Sequence, residues 1–588
     1  MSNRENSLWE KVREVAYKHA LINAVKHNGK ADVKAVTSKV FGEVPEIRKS
    51  VREYIQLIQQ VVEEVNKLSL EEQIKTIREN WPELLEEKKE EVKEKRLPPL
   101  PNAEMGKVVT RFAPNPDYTI HLGNARPALL SYWYAEQYRG EMILRFEDTD
   151  PRIKSPYPEA YQAIKEDLRW LGVRWGREYI QSLRMEIFYE LAKELIARRG
   201  AYIDKCPDKE FRKLRSIGKA CPHRNLPVET QLEEFDKMLQ GYYGEGEAVL
   251  RVKTDLNHPD PSVRDWVAMR IIDTSKTPHP VVGDKYVVWP TYNFAAAVDD
   301  HLMGVTHVLR AKEHISNTVK QSYLYNHMGW KYPEAIHFGR LSLEGFILSK
   351  SKMRKMIIDL GIDAYRDPRL GTLSGLRRRG IVREALWEII REVGIRPVDA
   401  KISYVNLAAI NRALIDPVAN RYMAVEDPVP VVLEGLEKEI KAKIPVHPSK
   451  PDYYEYSLKD GSLVYLSSND VGLLIGKPVR LLGVANFVLR NTPLVSSGKL
   501  VLQAEFHSLE HENAKKLGAP IVQWVPDGQM VEVEMLTPHG TTLRSRRLLA
   551  EQRLASEKEG AIVQFYRLGF ARIDRIGENR VTCIFAHE

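Results

Sequence analysis

His121-Leu122-Gly123-Asn124, within RFAPNPDYTIHLGNARPALL, sets two hydrogen-bonding side chains around a glycine. A glycine at the start of a helix that follows a strand lets the backbone approach a nucleotide closely. The helix N-terminus adds free N–H groups and about half a positive charge. His121 and Asn124 can donate to phosphate oxygens. Pro127 lacks an N–H and is tolerated in a first turn, so the helix is expected to begin around Leu122–Asn124. Far downstream, Phe346-Ile347-Leu348-Ser349-Lys350-Ser351-Lys352-Met353 offers two lysines on a serine-flanked loop. Such lysines are point charges that can neutralise charge growing at a phosphate and on its leaving group.

A nucleotide turn of this kind needs a strand before it and a helix after it. KVVTRF is a short β-rich run, and Asn124 to Tyr138 reads as helical. EMILRFED is a second strand and EAYQAIKEDLRWLGV a second helix. This order argues a parallel, Rossmann-like sheet, with a first half over residues 107–183. Residues 184–290 mix helix and strand and read as an insertion. THVLRAKEH and AIHFGRLSL resume the alternation in a second half, 291–345. Residues 346–425 carry the lysine loop and are mostly helical. From 426 to 588, runs such as PVRLLGVANFVL, KLVLQAEFH and RVTCIFAHE are strands between polar turns, so an all-β, barrel-like tail is expected. Upstream, residues 1–96 show apolar spacing of three and four in WEKVREVAYKHALINAV and VREYIQLIQQVVEEVNKL, which predicts helices. ELLEEKKEEVKEKR reads as a solvated helix, and Pro98, Pro99 and Pro101 mark a stiff linker over 97–106. The expected fold class is multidomain α/β with a helical N-terminal extension and a β tail.

Composition narrows the function classes. At 588 residues the length suggests roughly three to five domains. No apolar run approaches the ~18–20 residues that span a bilayer, and the polar N-terminus is not a secretory signal. Three cysteines, Cys206, Cys221 and Cys583, cannot build a disulfide framework and suit a reducing cytoplasm. The net charge of +8 is mild for this length; it permits a polyanionic partner such as RNA without demanding one.

The HLGN turn and the FILSKSKM loop resemble the two nucleotide signatures, HIGH and KMSKS, of class I aminoacyl-tRNA synthetases, with Asn124 where a second His usually stands. TRFAPNP, LRFEDTDP, the run Trp289 to Phe294, GVTHVLRAKEH and DPRLGTLSGLRRRG are similar to glutamyl- and glutaminyl-tRNA synthetases. The HLGN form, the helical extension and the β tail resemble the archaeal glutamyl branch. The resemblance runs from about Lys107 to the C-terminus. It implies ATP with Mg2+, glutamate and tRNA-Glu as substrates, possible charging of tRNA-Gln, and β-barrel anticodon-binding domains. It implies an ATP site of Pro114, Asn115, His121, Gly123, Asn124, Ser349, Lys350, Ser351 and Lys352, with His121, Asn124 and Lys350 catalytic. A neutral Asn124 cannot become cationic, so phosphate stabilisation should lean on the lysines. Arg111, Asp148 and Tyr292 match residues that hold the amino acid, Asp148 through its α-ammonium.

Arg310, in THVLR, is expected to choose that amino acid. Glutamate differs from glutamine by one negative charge, and a desolvated carboxylate without a cation costs several kcal/mol. Arg offers it a bidentate fork. In the insertion, Asp204, Cys206, Cys221 and His223 stand where some relatives carry a zinc knuckle. Three soft ligands plus an Asp could hold Zn2+, and a knuckle that has lost its metal is the alternative. Arg377, Arg378 and Arg379 are expected to contact tRNA phosphates, and barrel aromatics such as Trp524, Tyr566 and Phe570 offer faces for anticodon bases, although most should be core. The N-terminal helices could grip RNA or a partner protein, or simply pack. Two alternatives stay open: a glutaminyl enzyme, against which Arg310 argues, and a catalytically silent tRNA-binding protein, supported only by Asn124 and the altered knuckle.

Overall fold

Residues 1–96 form one unit and 97–588 a second. The computed structural model describes residues 3–26, 29–44, 47, 51–81, 97–346, 353, 355, 359, 363, 365–496 and 499–588. In the first unit the expected periodicity folds as α1 (Asn3–Lys26), α2 (Val33–Glu43), α3 (Val51–Lys67) and α4 (Leu70–Asn80). Val12, Ala16 and Leu21 of α1 bury against Ile58, Val61 and Val65 of α3. Ser69 and Glu72 form a capping box that starts α4. The ELLEEKKEEVKEKR stretch lies outside the described residues.

The second unit opens with the Pro-rich stretch, which packs onto the core that follows it. Leu97 and Leu100 are buried in the catalytic core, the Tyr134 hydroxyl donates to the Pro98 carbonyl at 2.9 Å, and the Leu100 N–H donates to the Tyr138 hydroxyl. Strands β1 (Val109–Phe112), β2 (Glu141–Phe146) and β3 (Arg177–Ile180) then run parallel, linked by α5 (Leu122–Gln137) and α6 (Pro158–Trp170).

The next segment interrupts this sheet. Helices α7 (Met185–Ala197), α8 (Asp208–Ser216) and α9 (Val228–Leu239) accompany an antiparallel sheet of β4 (Ala201–Asp204), β5 (Val249–Val252), β6 (Val267–Ile271) and β7 (Val288–Pro290). Its core holds Phe188, Phe235, Leu250 and Trp289, and takes in Phe294 of α10 (Tyr292–Leu302). The parallel pattern resumes with β8 (His307–Ala311), α11 (Ile315–Met328) and β9 (Glu334–Phe338). Thr306 ties the two halves: its N–H donates to the Val109 carbonyl, and the Val109 N–H donates to its hydroxyl, both at 2.9 Å. Strand order therefore reverses between β1 and β8, with β2 and β3 laid out on one side and β9 on the other. Ligands of doubly wound sheets bind at that crevice, beyond the carboxyl ends of the strands.

Beyond β9, β10 (Leu341–Leu343) pairs with β11 (Ala400–Ile402), around α12 (Leu373–Arg378) and α13 (Arg383–Val393); α14 (Tyr404–Ile415) leads to the tail. The tail holds two seven-stranded sheets. One draws its strands from residues 428–526. The other joins 421–426 to strands between 530 and 587, so the last strands fold back beside the helical region. Tyr404 donates to the Ala586 carbonyl, and Asn411 meets His587 at 2.9 Å. Trp524 and Phe570 are core residues and offer no face to a base. No helix among the described residues is long and apolar enough to cross a membrane.

Trp524 is fully buried, donates its indole N–H to the Leu482 carbonyl at 2.9 Å, and packs edge-on against Tyr456. Trp524→Ala should destabilise the tail by about 3–5 kcal/mol, which urea unfolding followed by far-UV circular dichroism would measure.

Candidate active site

A cavity of about 360 Å³ opens at the switch point between β1 and β8. Its nucleotide-like end is the start of α5. His121 is the N-cap in an extended conformation, and its carbonyl accepts from the N–H groups of Asn124 and Ala125. The helix therefore starts at Leu122, within the expected window. Pro127 sits in the second turn rather than the first, where it withholds the N–H that would bond the Gly123 carbonyl. Gly123 is required by packing: a Cβ there would lie 2.9 Å from the His121 ring and 3.2 Å from the Leu341 carbonyl. The turn is also pinned from behind. The Leu122 N–H donates to the Gly371 carbonyl, and the Leu373 N–H to that of Ile120. Pro114 and Asn115 line the same end; the Pro114 carbonyl accepts from the Glu147 N–H, which joins the exits of β1 and β2.

A further cation lies in this wall. Arg126 is fully buried and donates to the carbonyls of Gly394, Gly339 and Arg396, with Phe338 under its guanidinium. Burial lowers its pKa to about 10, so it stays charged at neutral pH. It welds α5 to the ends of β9 and α13.

The other end of the cavity is a buried charge network. Asp300 takes Arg111 at 3.2 Å and Arg145 at 2.7 Å, and Arg145 also reaches Glu147 at 3.0 Å. Burial by itself would raise the Asp300 pKa, yet the two guanidiniums hold it below the ordinary carboxylate range. Burial wins at Glu147, whose pKa is raised. Arg310 differs from the other two arginines. It donates to Tyr292, Thr318, Gln321 and Tyr332, all neutral oxygens, at 2.5–3.3 Å. Burial raises the pKa of both tyrosines, so neither is a phenolate. The result is a buried guanidinium without a paired acid among the described residues, facing the cavity beside Arg111, Glu147 and Tyr292.

Asp148 does not face that cavity. It is fully buried on the opposite side, where its carboxylate accepts from the Ser182 N–H, the Ser182 hydroxyl and Tyr161. Of these two adjacent acids it is Glu147 that lines the cavity, where Glu313 is the other acid among the lining residues. Adjacent residues leaving a strand point to opposite sides, so only one of the pair can serve, and the spacing of letters does not say which.

The arginine triplet also divides. Arg377 is exposed beside Trp170. Arg378 is bidentate to Asp574 at 2.7 and 2.9 Å, which locks α12 to the last β sheet. Arg379 stacks on Tyr404 and Phe346. The expectation of phosphate contact is corrected for Arg378 and Arg379, whose guanidiniums are used in packing. Ser349, Lys350, Ser351 and Lys352 lie outside the described residues. In the insertion, Asp204, Cys206, Cys221 and His223 do converge, with ligand atoms all within 4.8 Å of one another. The two sulfurs are 3.2 Å apart, His223 Nδ1 is 3.2 and 3.5 Å from them, and Cys221 lies 3.0 Å from Asp204. Tetrahedral zinc spaces its ligand atoms by roughly 3.3–3.8 Å. Arg251 holds the other Asp204 oxygen at 2.6 Å, an orienting contact typical of metal ligands.

His314 lines the cavity next to Arg310 and was not anticipated. Burial, then Arg310 and Arg111, push its pKa down to about 4. An unfolded His titrates near ~6.5. The folded state therefore binds fewer protons between these values, so this contribution is complete above about pH 6.5 and is lost as pH falls toward 4. It amounts to on the order of 3 kcal/mol. His314→Gln should flatten that part of the stability profile, as urea midpoints at pH 7 and pH 5 would show.

Comparison with known proteins agrees with this geometry. Residues 107–417 match the model of the class I (E and Q) tRNA synthetase catalytic domain, and residues 419–505 and 521–574 match two models of the anti-codon binding domain of the same synthetases. A glutamate–tRNA ligase of Staphylothermus marinus is 62% identical, over 97% of this chain and 100% of that one. Those of Hyperthermus butylicus and Pyrococcus furiosus are 53% and 52% identical, over 97% and 98% of this chain and 100% of each relative. Identity at this level along the whole length, on a sheet whose crevice is lined for an anion, means that the chain belongs to the class I glutamate–tRNA ligase family.

Proposed function

We propose that this chain joins glutamate to ATP, taken with Mg2+, and passes the glutamyl group to the terminal ribose of tRNA-Glu. In the first step an α-carboxylate oxygen attacks the α-phosphate, and pyrophosphate leaves. In the second a ribose hydroxyl, by family resemblance the 2′-hydroxyl, attacks the carbonyl, and AMP leaves. No side-chain nucleophile is needed, so catalysis rests on alignment and on fixed charge.

The observation that carries the reading is Arg310, a buried cation held by neutral oxygens beside the cavity. It supports a substrate that brings its own carboxylate. Arg111, Tyr292 and Glu147 line the cavity with it; Glu147 takes the α-ammonium role first expected of Asp148. His121, Gly123 and Asn124 receive the phosphates at the start of α5. Pyrophosphate exchange into ATP, with tRNA present, tests the reading. Glutamate should exceed glutamine at least ~10²-fold in kcat/KM, the scale on which a missing charge partner is penalised. Equal use of both amino acids, or of neither, overturns it. Running the charging step with pure tRNA-Glu and pure tRNA-Gln defines the acceptor range.

Lys350 is assigned to the leaving pyrophosphate. Lys350→Ala should cost at least ~10²-fold in adenylate formation, the scale of losing one oxyanion donor. A rate within tenfold of the parent refutes the assignment. We also assign Asp204, Cys206, Cys221 and His223 to a structural zinc ion that ties β4 to the turn after α8, without a part in the chemistry. Metal analysis of the purified protein should find about one zinc per chain; less than about one-tenth would remove the site.

A further inference from the structure

Arg310 owes its unpaired charge to a neighbour. We propose that Gln321 is a specificity-determining residue. Its amide oxygen clamps both terminal nitrogens of Arg310 without neutralising them, which reserves that positive charge for the side-chain carboxylate of the amino-acid substrate. The inference rests on the glutamate reading above.

Gln321 Oε1 lies 3.1 Å from both Nη1 and Nη2 of Arg310, and the Tyr332 hydroxyl donates to it at 2.7 Å. Donors converging on one atom fix that atom as the oxygen of the amide. The amide nitrogen is buried with no hydrogen-bond partner among the described residues. A glutamate in the same place would give Arg310 an ion pair through that oxygen. Charge pairing therefore favours the acid, yet the chain carries the amide. What the acid would remove is the charge of Arg310.

The other neighbours keep the same rule. Thr318 and Tyr292 are neutral, and Thr318 Oγ1 lies 2.9 Å from the His337 ring, whose pKa burial lowers. Asp300 is taken by Arg111 and Arg145. Gln321 is thus the position where one atom, nitrogen or oxygen, switches the pocket between cationic and neutral. A neutral pocket of the same shape would suit an amide side chain.

The test is pyrophosphate exchange into ATP, with unfractionated tRNA present, for glutamate and glutamine separately. Gln321→Glu should raise the KM for glutamate at least tenfold, leave the KM for ATP unchanged, and raise the glutamine-to-glutamate ratio of kcat/KM at least tenfold. Glutamate KM and ratio both within threefold of the parent overturn the proposal. Should Gln321→Glu fail to fold, Gln321→Met removes the clamp without adding charge. It should raise the glutamate KM at least fivefold with the ATP KM within twofold, and an unchanged glutamate KM overturns the proposal. A parent protein that uses both amino acids equally would instead sink the glutamate reading itself.

Discussion

The cavity is organised around a buried cation without a paired acid among the described residues. Burying an ion is costly, by several kcal/mol even after relaxation, unless partners recover the lost hydration. At Arg310 the partners are dipoles: two phenols, one hydroxyl and one amide. Hydrogen bonds to a charged donor contribute about 1.5–3 kcal/mol each, enough to hold the guanidinium in place but not to cancel its field. Its two neighbours do have acids. Asp300 sits between Arg111 and Arg145, and Glu147 takes the other face of Arg145. This balance fixes what surrounds it. His314 and His337 are kept neutral beside it: burial first, and then repulsion by Arg310, holds the pKa of each ring down.

The scaffold places that cluster by joining two half-sheets at one residue. Thr306 precedes β8 and bonds to the start of β1 through both backbone and hydroxyl. Arg111 on β1 and Arg310 on β8 thereby end up on adjacent strands, with α5 rising over both. The insertion does not disturb this, because it closes its own core around Phe188, Phe235 and Trp289. It remains tied in through His279, whose ring contacts the Asp148 carbonyl at 2.8 Å and stacks on Trp289. Asp148 thus links the insertion to the strand that carries Glu147. The Asp148 carboxylate is meanwhile held by Ser182 and Tyr161.

Periodicity and motif order made the architecture legible, because strand–helix alternation leaves few parallel topologies to choose from. The His121–Asn124 turn was legible for the same reason: a glycine in that position has a backbone cause, seen here in the clash a Cβ would make with His121 and Leu341. Side-chain direction was less legible. Glu147 and Asp148 differ by one step along a strand exit, and the parity is set by the register of β2 against β1. Arg377, Arg378 and Arg379 look alike as letters, but Asp574 lies 196 residues from Arg378 and reaches it only because the last strands fold back. The converging Asp204, Cys206, Cys221 and His223 were legible through the resemblance, which places a knuckle at that point of the insertion. Gln321 and His314 carry no signal of their own, since their meaning comes entirely from Arg310.

The same electrostatics bears on why the nucleotide end can tolerate Asn124. The reaction must bring a carboxylate against a phosphate. Two like charges at 4 Å repel by roughly 4 kcal/mol at an effective dielectric of 20. Fixed cations remove that repulsion before the chemistry starts, which is the main part of electrostatic preorganisation. In the reading proposed above, Arg111 does so at the glutamate end, while Arg310 is kept for the side-chain carboxylate. At the start of α5 the helix N-terminus offers partial charge, and Arg126, two residues after Asn124, lines the same cavity as a buried cation held by three carbonyls. A residue at position 124 then needs only to direct a hydrogen bond, which an amide does as well as an imidazole. Charge that must follow the departing pyrophosphate is a different requirement. A clamped guanidinium cannot travel with a leaving group, which is why that task is the one proposed for Lys350.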